Sequence, residues 1–485
     1  MPPESQAAWT PEALPSSRRR WRYALTSLAL LVPCYWQPRI QAGDLSSHIY
    51  NAWLAQLIES GRVDGLMIVG QTTNILFDLL LSGLFRLLGA EWAQRAAVSV
   101  AVLVFVWGAF AFMSKAAGRP SWHLVPSIAM LAYGWVFHMG FFNFYLGLGL
   151  CFWALALAWD ARPRAGVLAG AILVLAYTAH ALPVLWALGL LTYVWIAKRI
   201  SPRARPRLMG GVLLLLIGVH AAISRSLIST WSPNQISLAT GADQVWVFDG
   251  KYYFVLAGLL ILWGTLFLEL LRRRSGREVV ASLPFQLCVL SAAGVSILPS
   301  AVLIPGFHHS LVYIAERMSL GVGICVCALL GTARPGVLQR YALMVLALTF
   351  FILLFRDERA LNGFEDRMDG LIAQVPAGQR VVSPIIDPAL RVNALAHMID
   401  RACLGRCYSY ANYEPSTAQF RIRAVADNPV VVARYGDSWD LQNGKYVVKE
   451  RELPLWKIVV NRAGQMAVEK LKAGVLCGST LWEVL

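Results

Sequence analysis

The sequence predicts an α-helical polytopic membrane protein of about 11 transmembrane helices, with juxtamembrane helices in the first outer loop and a C-terminal α/β extracytoplasmic domain. Three observations predict it. The 485 residues are 57% hydrophobic and only 15% charged, with a mean hydropathy of +0.54, whereas soluble domains carry about 25% charged residues. Apolar runs of about 17 to 22 residues recur, each long enough for a hydrocarbon core roughly 30 Å thick. From residue 357 onward the composition turns polar. The net charge of +15 comes from short basic clusters between apolar runs. That pattern sets membrane orientation and argues against a nucleic-acid partner.

Residues 1–21 form a basic N-terminal tail, SSRRRWRY leading into the first apolar run. No small-x-small cleavage site follows, which predicts an uncleaved anchor with the N-terminus inside. The loops KRISPRARPR (198–207) and RRRSGR (272–277) are the most basic and are expected in the cytoplasm. GRP (118–120), DARPR (160–164) and ARPGVLQR (333–340) then fall on the same side. Spans at 22–38, 95–113, 121–139, 142–159, 165–180, 183–198, 208–225, 251–271, 282–303, 313–331 and 340–356 satisfy this alternation. Together they make a transmembrane domain, 22–356, with its first outer loop at 39–94. Within that loop NILFDLLLSGLFRLLG (74–89) would invert every later loop if it crossed. Asp78 and Arg86 would each cost about 2.5 to 3.5 kcal/mol at bilayer depth. The segment is therefore expected to be a re-entrant or interfacial helix.

Residues 357–485 are the extracytoplasmic domain. RVVSPIID and NPVVVARYGD have strand character, DPALRVNALAHMIDRACLG a helical period, and YGDSWDLQNGKYVVKE a hairpin signal at Asn443-Gly444. Cys403 and Cys407, four apart in this domain, suit a disulfide in an oxidising compartment, with Cys477 left over. The run YSYANYEPST suits either stacking on sugar rings or packing against the membrane domain.

The chemistry-bearing residues crowd the ends of the spans expected outside. GDLSSHIYNAWLAQLIESG (43–61) places Asp44 and His48 four apart, just after the first span. An ionisable pair there is costly unless solvated or functional. Asp44 also stands where an N-cap of the following helix would be. Asn143 in HMGFFNFYLG, His180 in YTAHALP, and His308, Glu316 and Arg317 in HHSLVYIAERMSL lie at further outer boundaries. Each has a plain alternative: Asn143 satisfying backbone groups at a span end, His180 a loop residue, Glu316 and Arg317 pairing with each other. The adjacent His308 and His309 rarely share a metal in a regular element.

A basic N-terminus, one span, and a large outer loop with an acid after the span and juxtamembrane helices together resemble the GT-C superfamily of glycosyltransferases. Here the matching parts are Asp44 in GDLSSH, HIYNAWLAQLIESG and NILFDLLLSGLFRLLG. The pattern is similar to bacterial O-mannosyl- and aminoarabinose-transferase-like enzymes, which also carry a soluble domain after the last span. The resemblance implies transfer of a sugar from a polyprenyl-phosphate-linked donor to a glycan, lipid or protein acceptor. The site would lie at the outer face of a bacterial cytoplasmic membrane. It implies Asp44 as general base, with substrate bound by His48, Asn143, His180, His308, Glu316 and Arg317. Many members carry two adjacent acids, but Asp44 stands between Gly43 and Leu45. A divalent metal is therefore not favoured and no cofactor is expected. The competing readings are a lipid-linked-glycan transporter or flippase, and a non-catalytic membrane scaffold.

Overall fold

The structure, a computed structural model, describes residues 17–160, 162–232, 235–305, 310–425, 428–461 and 464–481. The chain opens with α1 (Ser17–Leu31) and a 3-10 turn, then α2 (Leu45–Glu59), β1 (Leu66–Ile68) and α3 (Leu76–Ala117). Next come α4 (Val125–Ala132), α5 (Trp135–Met139), α6 (Phe142–Ala158), α7 (Pro163–Ala179), α8 (Ala181–Ala197) and α9 (Arg205–Ser226). They are followed by β2 (Ile228–Thr230), α10 (Tyr253–Arg273), α11 (Gly276–Ala281), α12 (Leu283–Ile297), β3 (Ala301–Leu303), α13 (Ile314–Leu330) and α14 (Val337–Ile372). Among the described residues, four helices are long and apolar enough to cross a membrane: α3, α9, α10 with its preceding turn (Gly250–Arg273), and α14. Four shorter apolar helices, α6, α7, α8 and α12, accompany them. Helix occupies part of each of the eleven stretches expected to span, but four depart from the expected bounds; in 282–303 helix α12 ends at Ile297 and the chain continues into β3. Helix α1 ends at Leu31, because Pro33 turns the chain into a 3-10 turn. The expected span 121–139 is broken into α4 and α5 at Gly134, where a Cβ would come within 2.7 Å of Gln244 O. The last helix runs on past 356 to Ile372.

Segment 74–89 is helical and forms the first part of α3, ending at Gly89, whose φ of 76° breaks the helical path. Arg86 pairs with Glu59 of α2, so its charge is matched. The loops expected in the cytoplasm meet at one end of the bundle. Lys115 lies 2.6 Å from Asp160, Arg119 donates to Gly331 O, Lys198 donates to Trp159 O, and Arg205 donates to Ala197 O.

The C-terminal residues build β4 (Arg380–Val382), β5 (Ile385–Ile386), α15 (Met398–Ala402), β6 (Tyr408–Ser409), α16 (Tyr413–Thr417), β7 (Ile422–Ala424), α17 (Tyr435–Gln442), β8 (Leu455–Val460), β9 (Met466–Lys470) and β10 (Thr480–Leu481). The sheet order is β6-β4-β8-β9, with β4 parallel to β6 and β8, and β9 antiparallel to β8. Strand β7 leaves this domain to pair antiparallel with β1, matching Met67 to Arg423. Cys403 and Cys407 are joined by a disulfide, and Cys477 is a buried free thiol.

Three local expectations are corrected here. Tyr435–Gln442 is a helix, not a hairpin arm: Ser438 and Leu441 face the core, and Asn443-Gly444 closes it with Gly444 at φ 67°. Residues 430–432 form no strand, because Asn428 Oδ1 accepts from Val430 N and Val431 N instead. In 387–405 only Met398–Ala402 is α-helical, Pro388 and the Asp387 turn opposing helix before it. The aromatic run is packed: Tyr408 stacks on Trp53, while Asn412 donates to Asn51.

The chain after α1 is zipped to one stripe of α14. Trp36 Nε1 donates to Glu358 at 2.7 Å, Arg39 N to Asn362 at 3.0 Å, and Gln41 Nε2 to Glu365 at 2.8 Å. These acceptors recur every three or four residues, one face of a helix. Arg401 of α15 reaches the same Glu365 through Nε (2.6 Å) and Nη2 (2.7 Å), and donates to Ile40 O and Gln94. Removing one partner of such a buried pair strands the other charge, so Arg401→Ala should cost about 3 to 5 kcal/mol. The joint change Arg401→Met with Glu365→Met should cost less. Thermal unfolding of the detergent-purified variants measures the difference, and equal losses would contradict it.

Candidate functional site

Asp44 is placed by its backbone. Gly43 N donates to His138 O at 2.8 Å and Asp44 N to Met139 O at 3.0 Å. Gly140 allows the approach, since at its φ of 84° a Cβ would lie 2.4 Å from Asp44 N. Asp44 occupies the N-cap position of α2, yet its side chain makes no capping hydrogen bond. The carboxylate instead lines a cavity of about 500 Å³, with Oδ1 3.8 Å from His397 Nε2. A volume of several hundred Å³ suits a small-molecule or head-group site.

Asp44, His48, Asn143, His180 and Arg317 all line this cavity. One turn along α2, His48 Nδ1 lies 2.6 Å from Asp78 Oδ1. Asp78 Oδ2 accepts from Asn143 Nδ2 at 2.7 Å, and Asn143 Oδ1 accepts from Phe77 N at 2.8 Å. Asn143 thus satisfies the start of α3 while holding the carboxylate that holds His48. His180 sits between α7 and α8 and caps α8, its Nδ1 accepting from Leu182 N at 3.2 Å. The Arg317 guanidinium lies 3.7 Å over the Phe141 ring, and its buried Nε has no hydrogen-bond partner among the described residues. Glu316 does not line the cavity: its carbonyl accepts from Gln244, and it makes no ion pair with Arg317 among the described residues. His308 lies outside the described residues.

Several residues were not singled out for the site from sequence. Asp78 was expected among the polar residues of the outer face but given no role in the site, whereas it is the partner of His48. The C-terminal domain supplies Tyr413, Gln419 and Phe420 to the cavity wall. Behind Asp44, and not in the cavity lining, the same domain places His397, held at Nδ1 by Asp400 at 3.2 Å, with Ser409 Oγ donating to Asp400. Glu414 accepts from Ser47 of α2 at 3.1 Å. The i,i+3 pair His397 and Asp400 in a helical pattern was the available signal.

The electrostatics follow from burying acids beside imidazoles. Burial lowers the His48 pKa, but the Asp78 charge and hydrogen bond, with Glu414 and Asp44 beyond, outweigh it and hold it at about 9. Burial likewise opposes a charge on His397, yet Asp400, Asp44 and Glu414 raise its pKa overall. Glu414 is pushed up to about 7 by burial, against the pull of His48 and with the repulsion of Asp78 and Asp44. No cluster of three or more His, Cys, Asp or Glu side chains among the described residues is disposed to hold a metal ion. The polar wall faces apolar residues, and Leu185 and Ile304, 71% and 43% exposed, stand at the mouth.

Comparison of the chain with family models, curated proteins and solved structures finds no match.

The His48–Asp78 pair makes stability fall with rising pH. With a folded pKa near 9 against an unfolded 6.5, its contribution is complete below about pH 6.5 and lost as pH rises through 9. Glu414 acts in the same direction, its ionisation opposed in the folded state as pH climbs toward 7. Melting temperatures in detergent should therefore drop from about pH 6.5 to 9, and Asp78→Asn should flatten the drop. An unaltered pH slope in Asp78→Asn would remove this assignment.

Proposed function

We propose that the protein is a glycosyltransferase that moves a sugar from a polyprenyl-phosphate-linked donor to an acceptor hydroxyl, with Asp44 as general base. The observation that carries this reading is convergence. Asp44, His48, Asn143, His180 and Arg317, drawn from the first loop to α13, line one cavity with a polar wall and an apolar mouth. An amphiphilic donor fits such a mouth, its chain against Leu185 and Ile304 and its phosphate toward Arg317. The gathering of basic loops at the opposite end of the bundle supports an N-terminus inside and a cavity open to the outer face of a cytoplasmic membrane.

The chemistry follows from the groups present. An acceptor hydroxyl bound beside Asp44 gives its proton to the carboxylate as its oxygen bonds to the sugar C1. The C1–O bond to the phosphate breaks, and the electron pair leaves on the lipid phosphate. Arg317, its buried Nε without a hydrogen-bond partner among the described residues, holds the charge that develops there. Attack opposite the leaving group inverts the anomeric centre. His48 and Asn143, fixed through Asp78, are placed to hold sugar hydroxyls. No metal or cofactor is needed for these steps, and the acceptor is a glycan, a lipid or a protein.

In membranes supplied with polyprenyl-phosphate sugar, Asp44→Asn should lower transfer by roughly 10²- to 10⁴-fold while the protein inserts and melts as the wild type does. Arg317→Lys should lower it too, because an ammonium lacks the bidentate geometry for phosphate. Undiminished transfer by Asp44→Asn would remove the base. Movement of intact lipid-linked glycan across vesicles without transfer would favour the transporter reading.

A further inference from the structure

We propose that the crevice between α1, α4 and α14 binds an anionic glycerophospholipid, its phosphate among Arg22, Arg119 and Arg340 and an acyl chain along the apolar wall. This cavity, about 740 Å³, lies at the basic end of the bundle, away from the candidate transfer site. Leu30, Val125 and Phe351 form its wall, while Met344 and Leu348, 52% and 58% exposed, open it to the side. No carboxylate lines it among the described residues.

Loop cations at this end are ordinarily solvated and need no ligand. Here three observations point to an anion-binding site. Arg22 is stacked 3.9 Å over Trp122, which fixes the guanidinium plane and leaves its N–H edges to donate. Arg119 is anchored by donation to Gly331 O and Ala333 O, and its pKa is lowered by burial and by Arg334, Arg274 and Arg340 around it. His123 lines the same crevice with a buried Nε2 that bonds nothing among the described residues. Like charges gathered without a counter-ion repel, and a phosphate among them relieves that cost with charge-assisted hydrogen bonds. A free phosphate would leave the apolar wall uncovered, whereas a phospholipid covers both. Basic pockets between membrane helices are suited to such head groups. The proposal needs the helices to lie in a membrane and does not depend on the transfer reaction.

Native mass spectrometry tests it on the full chain released from micelles containing equal phosphatidylglycerol and phosphatidylcholine. The wild type should retain one phosphatidylglycerol in preference to phosphatidylcholine. Arg22→Gln with Arg340→Gln should cut that adduct by roughly tenfold or more. Arg199→Gln with Arg203→Gln removes the same charge outside the crevice and should leave it. Ala29→Trp fills the crevice without touching a charge and should abolish the adduct, which keeps the test decisive if the arginine pair misfolds. Equal retention of both lipids, equal loss in the Arg199 and Arg203 control, or displacement by millimolar inorganic phosphate would overturn it.

Discussion

The ion pair between Glu365 and Arg401 is the constraint on which the rest of the architecture depends. Both carboxylate oxygens accept from Arg401, one also takes Gln41 Nε2, and the remaining guanidinium contacts go to Ile40 O and Gln94. A buried pair is stabilising only when its hydrogen bonds are filled, and here four separate parts of the chain fill them. Asp44 follows Gln41 by three residues, and His397 precedes Arg401 by four. The clamp therefore sets both sides of the 3.8 Å approach between Asp44 and His397. Because α14 continues past the membrane-length stretch to Ile372, the clamp also mounts the C-terminal domain on the bundle. Strand pairing of β1 with β7 makes a second attachment to the same loop.

Charge at the site is arranged largely in acid–imidazole pairs, of which the contact of Asp44 with His397 is the longest. Asp78 is spent on His48 and Asn143, and Asp400 on His397 and Ser409. Glu414, raised to about 7, carries less negative charge at neutral pH than an ordinary carboxylate would. That limits repulsion of an anionic ligand near Arg317. Among the described residues Asp44 makes no capping hydrogen bond and its ion-pair partner, His397 Nε2, lies 3.8 Å away, which suits the proton-accepting role proposed for it.

What was legible in the sequence follows from how strongly the membrane constrains residues. Apolar runs marked the helices of the bundle well, because every residue there must be compatible with lipid or a buried core. The break at Gly134 was hidden, since its cause is the distant Gln244 carbonyl. In the C-terminal domain the local signals were ambiguous. Asn443-Gly444 serves a hairpin or a helix end equally, and packing of Ser438 and Leu441 decided for the helix. Asp44, His48, Asn143, His180 and Arg317 stood out because polar groups are rare beside apolar spans. His397, Asp400 and Glu414 did not, because polar residues are ordinary in a domain of soluble composition. Asp78 was visible but misjudged: the cost assigned to it assumed no partner, and His48 and Asn143 supply two.

The two ends of the bundle solve the same electrostatic problem differently. At the cavity end His48 and His397 are each given a carboxylate, while His180 is committed to capping α8. Arg317 is the exception: it rests on an aromatic face, with no carboxylate bonded to it among the described residues. At the basic end Arg22, Arg119 and Arg340 face a crevice with no acid in its lining among the described residues. In the readings proposed above, an unbalanced cation beside apolar surface receives an amphiphilic anion in both places. The difference lies in what stands opposite. Arg317 shares its cavity with the Asp44 carboxylate, whereas no carboxylate lines the crevice of Arg22, Arg119 and Arg340 among the described residues.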